Sequence, residues 1–301
     1  SLDEDAAADQ SSLRETALRR LSGLVVSSGA NLGARLGPTG ERLSIVDELG
    51  NSIDDGRMLL IMLDLMAAAR HNGCIAVPVT TSRLAEQVAA YHGLVVRRIG
   101  AGSAALAAAA EAPDVVLAGD GRGRFVLPAL GPGPDAISSL MMLLALMADT
   151  ELTLSQLNSR IPATSVVARR VPVAWHRRGA AMRSVRQHAD EAQIDTLDGI
   201  RVSNADGSWC LVLPEDDQAS FMLYAEATDI TAARELLDHW QAIVEGASLP
   251  CRSTIGREAG RRSWSDSLPI SSSTTTHACR FSRSPLSPVS PTKALAGPGH
   301  P

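Results

Sequence analysis

Segments typical of β-strands alternate with segments typical of helices between residues 74 and 148. In such an alternation each helix can cover one face of a sheet built from the neighbouring strands, which is the layered arrangement of an α/β domain. The centre of the chain is therefore predicted to be α/β. The strands are expected at Cys74–Thr80, Leu94–Ile99, Asp114–Ala118 and Arg124–Leu130, and the helices at Ser82–His92, Ser103–Ala110 and Asp135–Ala148.

The segment before this alternation predicts a buried helix and a hairpin. Asp55–Arg70 is apolar on nearly every face of a helix, so we expect it to be buried on several sides. Two short strands, Leu32–Leu36 and Leu43–Asp47, flank a turn that contains glycine and proline. A capping box that begins at Ser12 predicts the start of the first helix, and residues 1–10 are expected to be loose.

Beyond residue 150 the pattern changes to that of a smaller α+β domain. Two helices carry apolar stripes that can cover one face of a small sheet: Arg178–Glu191, and a helix capped by Asp229 that ends at Gly246. The other elements are a short helix at Leu154–Ser159 and strands at Ser165–Val173, Gln193–Thr196, Gly199–Val202, Trp209–Leu213 and Phe221–Glu226.

The last segment differs in composition from the rest. Residues 251–301 contain 11 Ser, 5 Thr and 6 Pro, without apolar periodicity. Such a segment buries too little apolar surface to offset the entropy lost on ordering, so a disordered tail is predicted.

The composition of the whole chain excludes several classes of protein. Its 301 residues are 45% hydrophobic, which is enough for a sizeable core. The formal charge of −5 argues against a nucleic-acid partner, and the longest apolar runs are far shorter than the ~20 residues of a membrane span. The four cysteines are too dispersed for a disulfide framework or a zinc site. We expect a cytoplasmic protein without a membrane partner.

One glycine-rich motif allows a dinucleotide-binding alternative. Gly100–Ala105 fits G-x-G-x-x-A between a strand and a helix, and Asp120 follows near the end of the next strand. The motif does not follow the first strand of the alternation, and chance matches are common in a background rich in alanine and glycine. We therefore favour a structural turn at this position.

Three loops, in order, resemble those of the α-D-phosphohexomutases, the family of phosphomannomutases and phosphoglucomutases. Gly37–Leu43 (the metal loop) is similar to the family's magnesium loop, D-x-D-x-D-R-L. Ala118–Phe125 (the sugar loop) lies where the family has G-G-E-x-S-G-H-F. Asp206–Trp209 and Leu213–Gln218 (the phosphate loop) are similar to D-G-S-W and R-P-S-G-T-E-P, and a strand follows that ends like V-E-A.

The resemblance covers residues 28–246 and implies the organisation of the chain. It implies the end of the family's second domain, its third domain and its fourth, without the first domain that carries the phosphoserine. The predicted parts are a leader and capped helix at 1–27, a remnant hairpin at 28–50, the third domain at 51–150, the fourth at 151–248 and the tail at 249–301.

The resemblance also implies that metal and sugar ligands have been replaced. The positions of the three magnesium-binding aspartates hold Gly37, Thr39 and Glu41, which is a poor ligand set for octahedral Mg²⁺. No cofactor is therefore expected. In the sugar loop, Asp120 and Arg122 stand at the positions of the family's Glu and Ser, and Arg124 lies beside them.

The phosphate loop differs from the family pattern in charge. Arg, Ser, Gly and Thr of the motif become Leu213, Glu215, Asp216 and Asp217, and Met222 replaces its final arginine. Three acidic residues thus replace an anion-binding nest, so the loop is expected to repel phosphate.

The leading hypothesis is a non-catalytic phosphohexomutase-like region that serves assembly, regulation or sugar-phosphate sensing in nucleotide-sugar synthesis. The chain resembles the mutase-like part of actinobacterial mannose-1-phosphate guanylyltransferase-type chains. This resemblance implies an upstream nucleotidyltransferase-type domain or a second copy as partner, and a hexose phosphate as candidate ligand. The hairpin at 32–47 is expected to have an open edge, which favours association.

The alternative is a working phosphomannomutase or phosphoglucomutase fragment that uses Mg²⁺. Its remaining ligand contacts would be Arg42, Asp120, Arg122 and Arg124. The competing interpretation of these four residues is solvated loop charge, which we favour.

Overall fold

The computed structural model describes residues 2–70, 72–163, 165–189 and 194–246, with side chains from residue 12 onward. The predicted disordered tail at 249–301 lies outside the described residues. Within them, no single helix is both long and apolar enough to cross a membrane.

Helix α1 (Leu2–Ser28) packs on the hairpin formed by β1 (Leu32–Leu36) and β2 (Leu43–Asp47). The two strands pair antiparallel, with Leu32 opposite Asp47. A Cβ placed on Gly33 would lie 2.6 Å from Cγ2 of Val25, so the close approach of helix and strand requires glycine here. No strand pairs with the outer edge of β1 among the described residues.

The predicted start of α1 was wrong. The helix begins at Leu2, so the capping box at Ser12 lies inside it. The segment from Leu2 to residue 10, which was predicted to be loose, is helical. The sequence before Ser12 is rich in alanine, the strongest helix former, and its acidic residues favour the positive end of the helix dipole. These preferences outweigh the local capping signal.

The central domain is α/β, as predicted. Its mixed sheet has the order β4-β3-β5-β6, in which β3 is parallel to β4 and β5, and β6 is antiparallel to β5. The bounds of its elements are α2 Asp55–Ala69, β3 Cys74–Pro78, α3 Leu84–Tyr91, β4 Val95–Ile99, α4 Ser103–Ala110, β5 Val115–Gly119, β6 Phe125–Val126, α5 Ala136–Thr150 and α6 Leu154–Arg160.

Helix α2 is the centre of the main hydrophobic core. Nine of its residues are buried, which confirms the prediction drawn from its all-round apolar sequence. The core continues into the hairpin, the sheet, α5 and α6.

Strand β6 is shorter than predicted. Only Phe125–Val126 pair with β5, and the chain then turns, with the N–H groups of Leu130 and Gly131 donating to the carbonyl of Leu127. Pro128 lies in this turn and has no N–H to donate to a sheet, which is why the predicted strand over Arg124–Leu130 does not continue.

The second domain is α+β, as predicted. Five antiparallel strands have the order β7-β11-β10-β9-β8, and one face of this sheet is covered by α7 and α8. Asp229 caps α8 by accepting from the N–H groups of Thr231 and Ala232. The bounds are β7 Val166–Pro172, a 3₁₀ turn Trp175–Arg177, α7 Arg178–His188, β8 Ile194–Asp195, β9 Ile200–Ser203, β10 Trp209–Pro214, β11 Ser220–Glu226 and α8 Ile230–Gly246.

Candidate functional site

The metal loop and the sugar loop lie side by side. The N–H of Leu43 donates to the carbonyl of Gly123 at 2.8 Å, and Arg42 and Arg124 form an antiparallel bridge. Gly123 has φ 86°, and a Cβ at this position would lie 2.6 Å from the carbonyl oxygen of Leu43. The contact therefore depends on glycine, and it brings together two loops that the sequence separates by about 80 residues.

The metal loop is a closed turn that does not fit Mg²⁺. Its backbone bonds to itself, with the N–H of Gly37 donating to Arg42 and that of Gly40 donating to Gly37. Its single carboxylate, on Glu41, has an oxygen 4.0 Å from Nη1 of Arg124. Across the described residues, no group of three or more His, Cys, Asp and Glu side chains could hold a metal ion. Thr39 adds only a hydroxyl, so the hard, multiply charged ligand set that Mg²⁺ prefers is not present in this loop.

The carboxylate of Asp120 is used inside the sugar loop. One oxygen accepts from the N–H groups of Arg122 at 2.7 Å and Arg124 at 3.0 Å, and the other accepts from Nε of Arg124 at 2.7 Å. Asp120 is only 8% exposed. These bonds hold the loop closed and neutralise the carboxylate, so they support a structural role for Asp120 and Arg124.

Arg122 differs from these two residues because its side chain is exposed. Its Nη2 lies 3.2 Å from the hydroxyl of Tyr224 on β11, so it links the sugar loop to the second domain. Beside this contact is a cleft of about 460 Å³. It is lined by Asp54, Gly56, Arg57, Leu60, Thr80, Thr81, Ser82, Asp120, Gly121, Arg122, Val166, Ala168 and Tyr224.

The cleft contains an unused hydroxyl. Oγ1 of Thr81 is buried and has no hydrogen-bond partner among the described residues. The cleft is lined by sugar-loop residues but not by residues of the metal loop or the phosphate loop. The structure thus brings two of the three loops together, and only the sugar loop contributes to the cleft.

The phosphate loop is partly neutralised by a neighbouring strand. Arg170 on β7 binds the carboxylate of Glu215 with two nitrogens, at 2.8 and 2.9 Å, and Oγ of Ser220 donates to it at 2.6 Å. Arg170 lies opposite Met222 in the sheet, so a cation from the adjacent strand stands near the position where the family motif has its last arginine. The expected repulsion of phosphate therefore rests on Asp216 and Asp217, which are exposed.

Sequence reasoning missed a buried carboxylate that joins the two domains. Glu226, which is 3% exposed, accepts from Oγ of Ser82 at 2.6 Å, Nε1 of Trp209 at 2.6 Å and the N–H of Arg83 at 3.0 Å. Trp209 and Glu226 belong to the D-G-S-W and V-E-A motifs, which were the available signal. Their role here is to dock the second domain beside the cleft.

Arg201 completes this junction. Its guanidinium lies 4.0 Å from the centre of the Trp209 ring, and Nη1 donates to the carbonyl of Val79 at 2.9 Å. Burial, with a smaller contribution from Arg98, lowers the pKa of Arg201 to about 10. Three kinds of contact thus hold the second domain beside the cleft. They are the bonds to the buried carboxylate of Glu226, the guanidinium of Arg201 on the indole of Trp209, and the bond from Arg201 to a backbone carbonyl.

A partly buried carboxylate lies under the two adjacent loops. Asp55, at the start of α2, accepts from Nη2 of Arg14 at 2.5 Å, and the same nitrogen donates to Ser44. Burial raises the pKa of Asp55, and the negative charge of nearby Asp120 acts in the same direction.

The G-x-G-x-x-A motif faces another part of the protein. The N–H of Ala101, in the turn before α4, donates to a carboxylate oxygen of Asp198 at 2.8 Å. A Cβ on Gly100 would lie 3.2 Å from the same oxygen. The turn is thus used to contact the second domain, which supports its structural interpretation.

Comparison with known sequences shows which proteins the chain is similar to. Residues 54–164 match the family model described as phosphoglucomutase/phosphomannomutase, alpha/beta/alpha domain III. The probable phosphoglucosamine mutase of Methanopyrus kandleri is 29% identical over 75% of this chain and 50% of its own length. The phosphoglucosamine mutase of Mycobacterium ulcerans is 28% identical over 73% of this chain and 48% of its own length. The chain thus spans about half the length of these curated relatives.

Solved structures share the fold. A phosphoglucomutase/phosphomannomutase family protein from Burkholderia thailandensis has a TM-score of 0.66 at 18% identity, over 77% of this chain and 50% of its own. A putative phosphomannomutase from Thermus thermophilus has a TM-score of 0.57 at 18% identity, over 75% and 48%. Residues 54–164 are therefore similar to the third domain of phosphoglucomutases and phosphomannomutases, and the chain is similar in sequence to phosphoglucosamine mutases over about half of their length.

Proposed function

We propose that this chain is a non-catalytic phosphohexomutase region that serves assembly, regulation or sugar-phosphate sensing in nucleotide-sugar synthesis. The observation that carries the proposal is the state of Asp120. Its carboxylate stands where the family resemblance places a sugar ligand, yet it accepts three bonds from its own loop and is 8% exposed. A sugar hydroxyl would have to compete with these charge-assisted bonds.

The other two loops support the proposal in the same way. The metal loop has one carboxylate, on Glu41, and Nη1 of Arg124 lies 4.0 Å from one of its oxygens. The phosphate loop holds Glu215 where the motif has a serine, and Arg170 is engaged by that carboxylate. Phosphoryl transfer depends on positioned metal and cationic groups, so the loss of all three ligand sets removes most of its catalytic power.

The partners remain part of the proposal. The resemblance to mannose-1-phosphate guanylyltransferase-type chains suggests a nucleotidyltransferase-type parent in the cytoplasm, with GDP-mannose synthesis as the setting. The names of the relatives add hexosamine phosphates to the hexose phosphates as candidate ligands. A second copy of the chain is the other candidate partner.

A working mutase fragment is the second candidate, and the cleft favours it. The metal and sugar loops meet, the exposed Arg42 lies at their junction, and the cleft beside the sugar loop offers the unpaired hydroxyl of Thr81. In this case Arg42 and Arg122 would contact a hexose phosphate. The poor ligand set of the metal loop weighs against the Mg²⁺ that such a reaction uses.

A coupled mutase assay separates the two candidates. Mannose, glucose and glucosamine 1-phosphates would be supplied with Mg²⁺ and a hexose bisphosphate activator, and the phosphoglucosamine mutase of Methanopyrus kandleri would serve as positive control. We expect no turnover above the uncatalysed background. Turnover that co-purifies with the chain and is lost on Arg122→Ala substitution would establish the mutase and refute the non-catalytic proposal.

A further inference from the structure

The second domain has an unusual separation of charge along its sequence. Residues 165–189 contain six arginines and no Asp or Glu, whereas residues 190–246 contain 13 acidic residues and two arginines. The whole chain has a formal charge of −5, so this arginine-rich segment contrasts with its surroundings. Segregated charge of both signs on one domain favours association with a complementary surface.

Part of this segment forms an exposed surface on α7, which we call the arginine face: Arg183 and Arg186. Arg183 and Arg186 are three residues apart, so they lie on the same side of the helix. Both are exposed, and neither forms an ion pair with any residue that the structure describes. A groove of about 360 Å³ lies beside them, lined also by Gln187 and Ala189.

The other arginines of the segment are already engaged. Arg169 pairs with Asp238 at 2.5 Å, and Arg170 pairs with Glu215. Arg178 donates to backbone carbonyls of Glu215 and Ser220 and lies 4.4 Å from the centre of the Trp175 ring. Among the arginines of this segment, Arg183 and Arg186 are thus the exposed ones without an ion pair in the part of the chain that the structure describes.

An exposed tryptophan lies at the other end of α7. Trp175 precedes the helix and is 54% exposed, with Arg178 stacked on it. Tryptophan and arginine are the residue types that contribute most often to binding energy in protein interfaces. Residues of these types thus lie at both ends of α7, Trp175 at its start and Arg186 in its last turn.

A complementary acidic surface lies at one end of the same helix. Asp216 and Asp217 are exposed, and neither forms an ion pair within the described part of the chain. The bonds from Arg178 to Glu215 and Ser220 place this loop at the beginning of α7. Arg186 lies eight residues further along, about 12 Å at 1.5 Å per residue, which is beyond the reach of a short Asp side chain from the loop.

We propose that the arginine face binds the Asp216–Asp217 loop of a second copy of this chain. Each copy carries both surfaces at a fixed separation, with the arginine face on α7 and the acidic residues on the loop that Arg178 holds at the start of α7. Two copies related by a two-fold axis could therefore exchange both contacts, and such a reciprocal interface closes on itself as a dimer. This inference identifies the surface through which the chain would assemble, and it rests on the assembly role in the proposed function.

Sedimentation velocity of the full chain over a range of concentrations tests the proposal. We expect a dimer at low salt that dissociates in about 1 M NaCl, where the Debye length is about 3 Å. Arg183→Glu with Arg186→Glu should give a monomer, and so should Asp216→Arg with Asp217→Arg. An equimolar mixture of these two variants should associate again, because the reversed charges are complementary between copies.

The control for the arginine reversals has the same change in net charge at a different place. Arg19→Glu with Arg20→Glu on α1 should leave the dimer intact, and circular dichroism would check the fold of every variant. A wild-type monomer at low salt, a dimer that survives both charge reversals, or a mixture that fails to associate would overturn the proposal. The coupled mutase assay is independent of these results, so loss of the dimer and gain of turnover would be recognised as separate failures.

Discussion

The sugar loop and the phosphate loop each hold a carboxylate that an arginine neutralises, but the two pairs differ in depth and origin. Asp120 is 8% exposed, and its partners belong to its own loop. Glu215 is bound by Arg170 from a neighbouring strand, and the side chain of Arg170 is 44% exposed. In the sugar loop the carboxylate therefore maintains the local fold. In the phosphate loop it binds the guanidinium of an arginine at the surface.

This difference predicts unequal costs for removing the two carboxylates. Asp120→Ala should lower the free energy of unfolding by about 2–4 kcal/mol, because it removes three bonds and leaves Arg124 half-buried without its partner. Glu215→Ala should cost less, about 1 kcal/mol, because it removes the bonds from Arg170 and Ser220 at a site where the side chain of Arg170 is 44% exposed. Urea denaturation of both variants measures the difference.

Asp120→Asn is the matched control for this comparison. The amide keeps an acceptor for the two backbone N–H groups and loses the charge, so its stability should lie between those of the wild type and Asp120→Ala. Equal losses for Asp120→Ala and Glu215→Ala would contradict the distinction between a structural and a surface carboxylate.

A smaller effect is expected from Asp55, the carboxylate beneath the sugar loop. Burial raises the pKa of Asp55 in the folded state, so the folded protein holds this proton to higher pH than the unfolded chain. The resulting contribution to stability is complete below the unfolded pKa, near 3.8, and is lost as pH rises through the folded pKa.

Asp55→Asn should remove this contribution to the pH dependence. In the acidic range just above pH 3.8, the stability of the wild type should fall more with rising pH than that of the variant. Thermal unfolding of both proteins at several pH values measures this slope. Asp120→Asn should reduce the effect in part, since the charge of Asp120 also raises the pKa of Asp55. Parallel pH profiles for wild type and Asp55→Asn would show that Asp55 does not carry the effect.

The sequence predicted those elements whose cause is local. The all-round apolar sequence of α2 and the single apolar stripe of α8 predicted a buried helix and a surface helix, and both are observed. The predicted start of α1 was wrong because the helix propensity before Ser12 outweighed the capping box. The predicted length of β6 was wrong because Pro128 ends the strand. The three loops were singled out in the sequence by their resemblance to family motifs. The fold shows between which strands and helices each loop lies.

The partners of the site residues could not be predicted in this way. Glu215 and Arg170 are 45 residues apart, and their pairing depends on the register of β7 with β11. Ser82 and Glu226 are 144 residues apart, and they meet only because the second domain docks on the first. A motif shows which side chain stands at a position, whereas the tertiary structure decides whether that side chain is available to a ligand.

The central claim is that the ligand positions of the three loops are used within the protein or have been lost. Isothermal titration of the full chain with glucose 1-phosphate and glucosamine 1-phosphate, with and without Mg²⁺, tests it most directly. The account predicts no binding that depends on Mg²⁺ at millimolar ligand. Saturable binding that requires Mg²⁺ and disappears on Glu41→Ala substitution would contradict it.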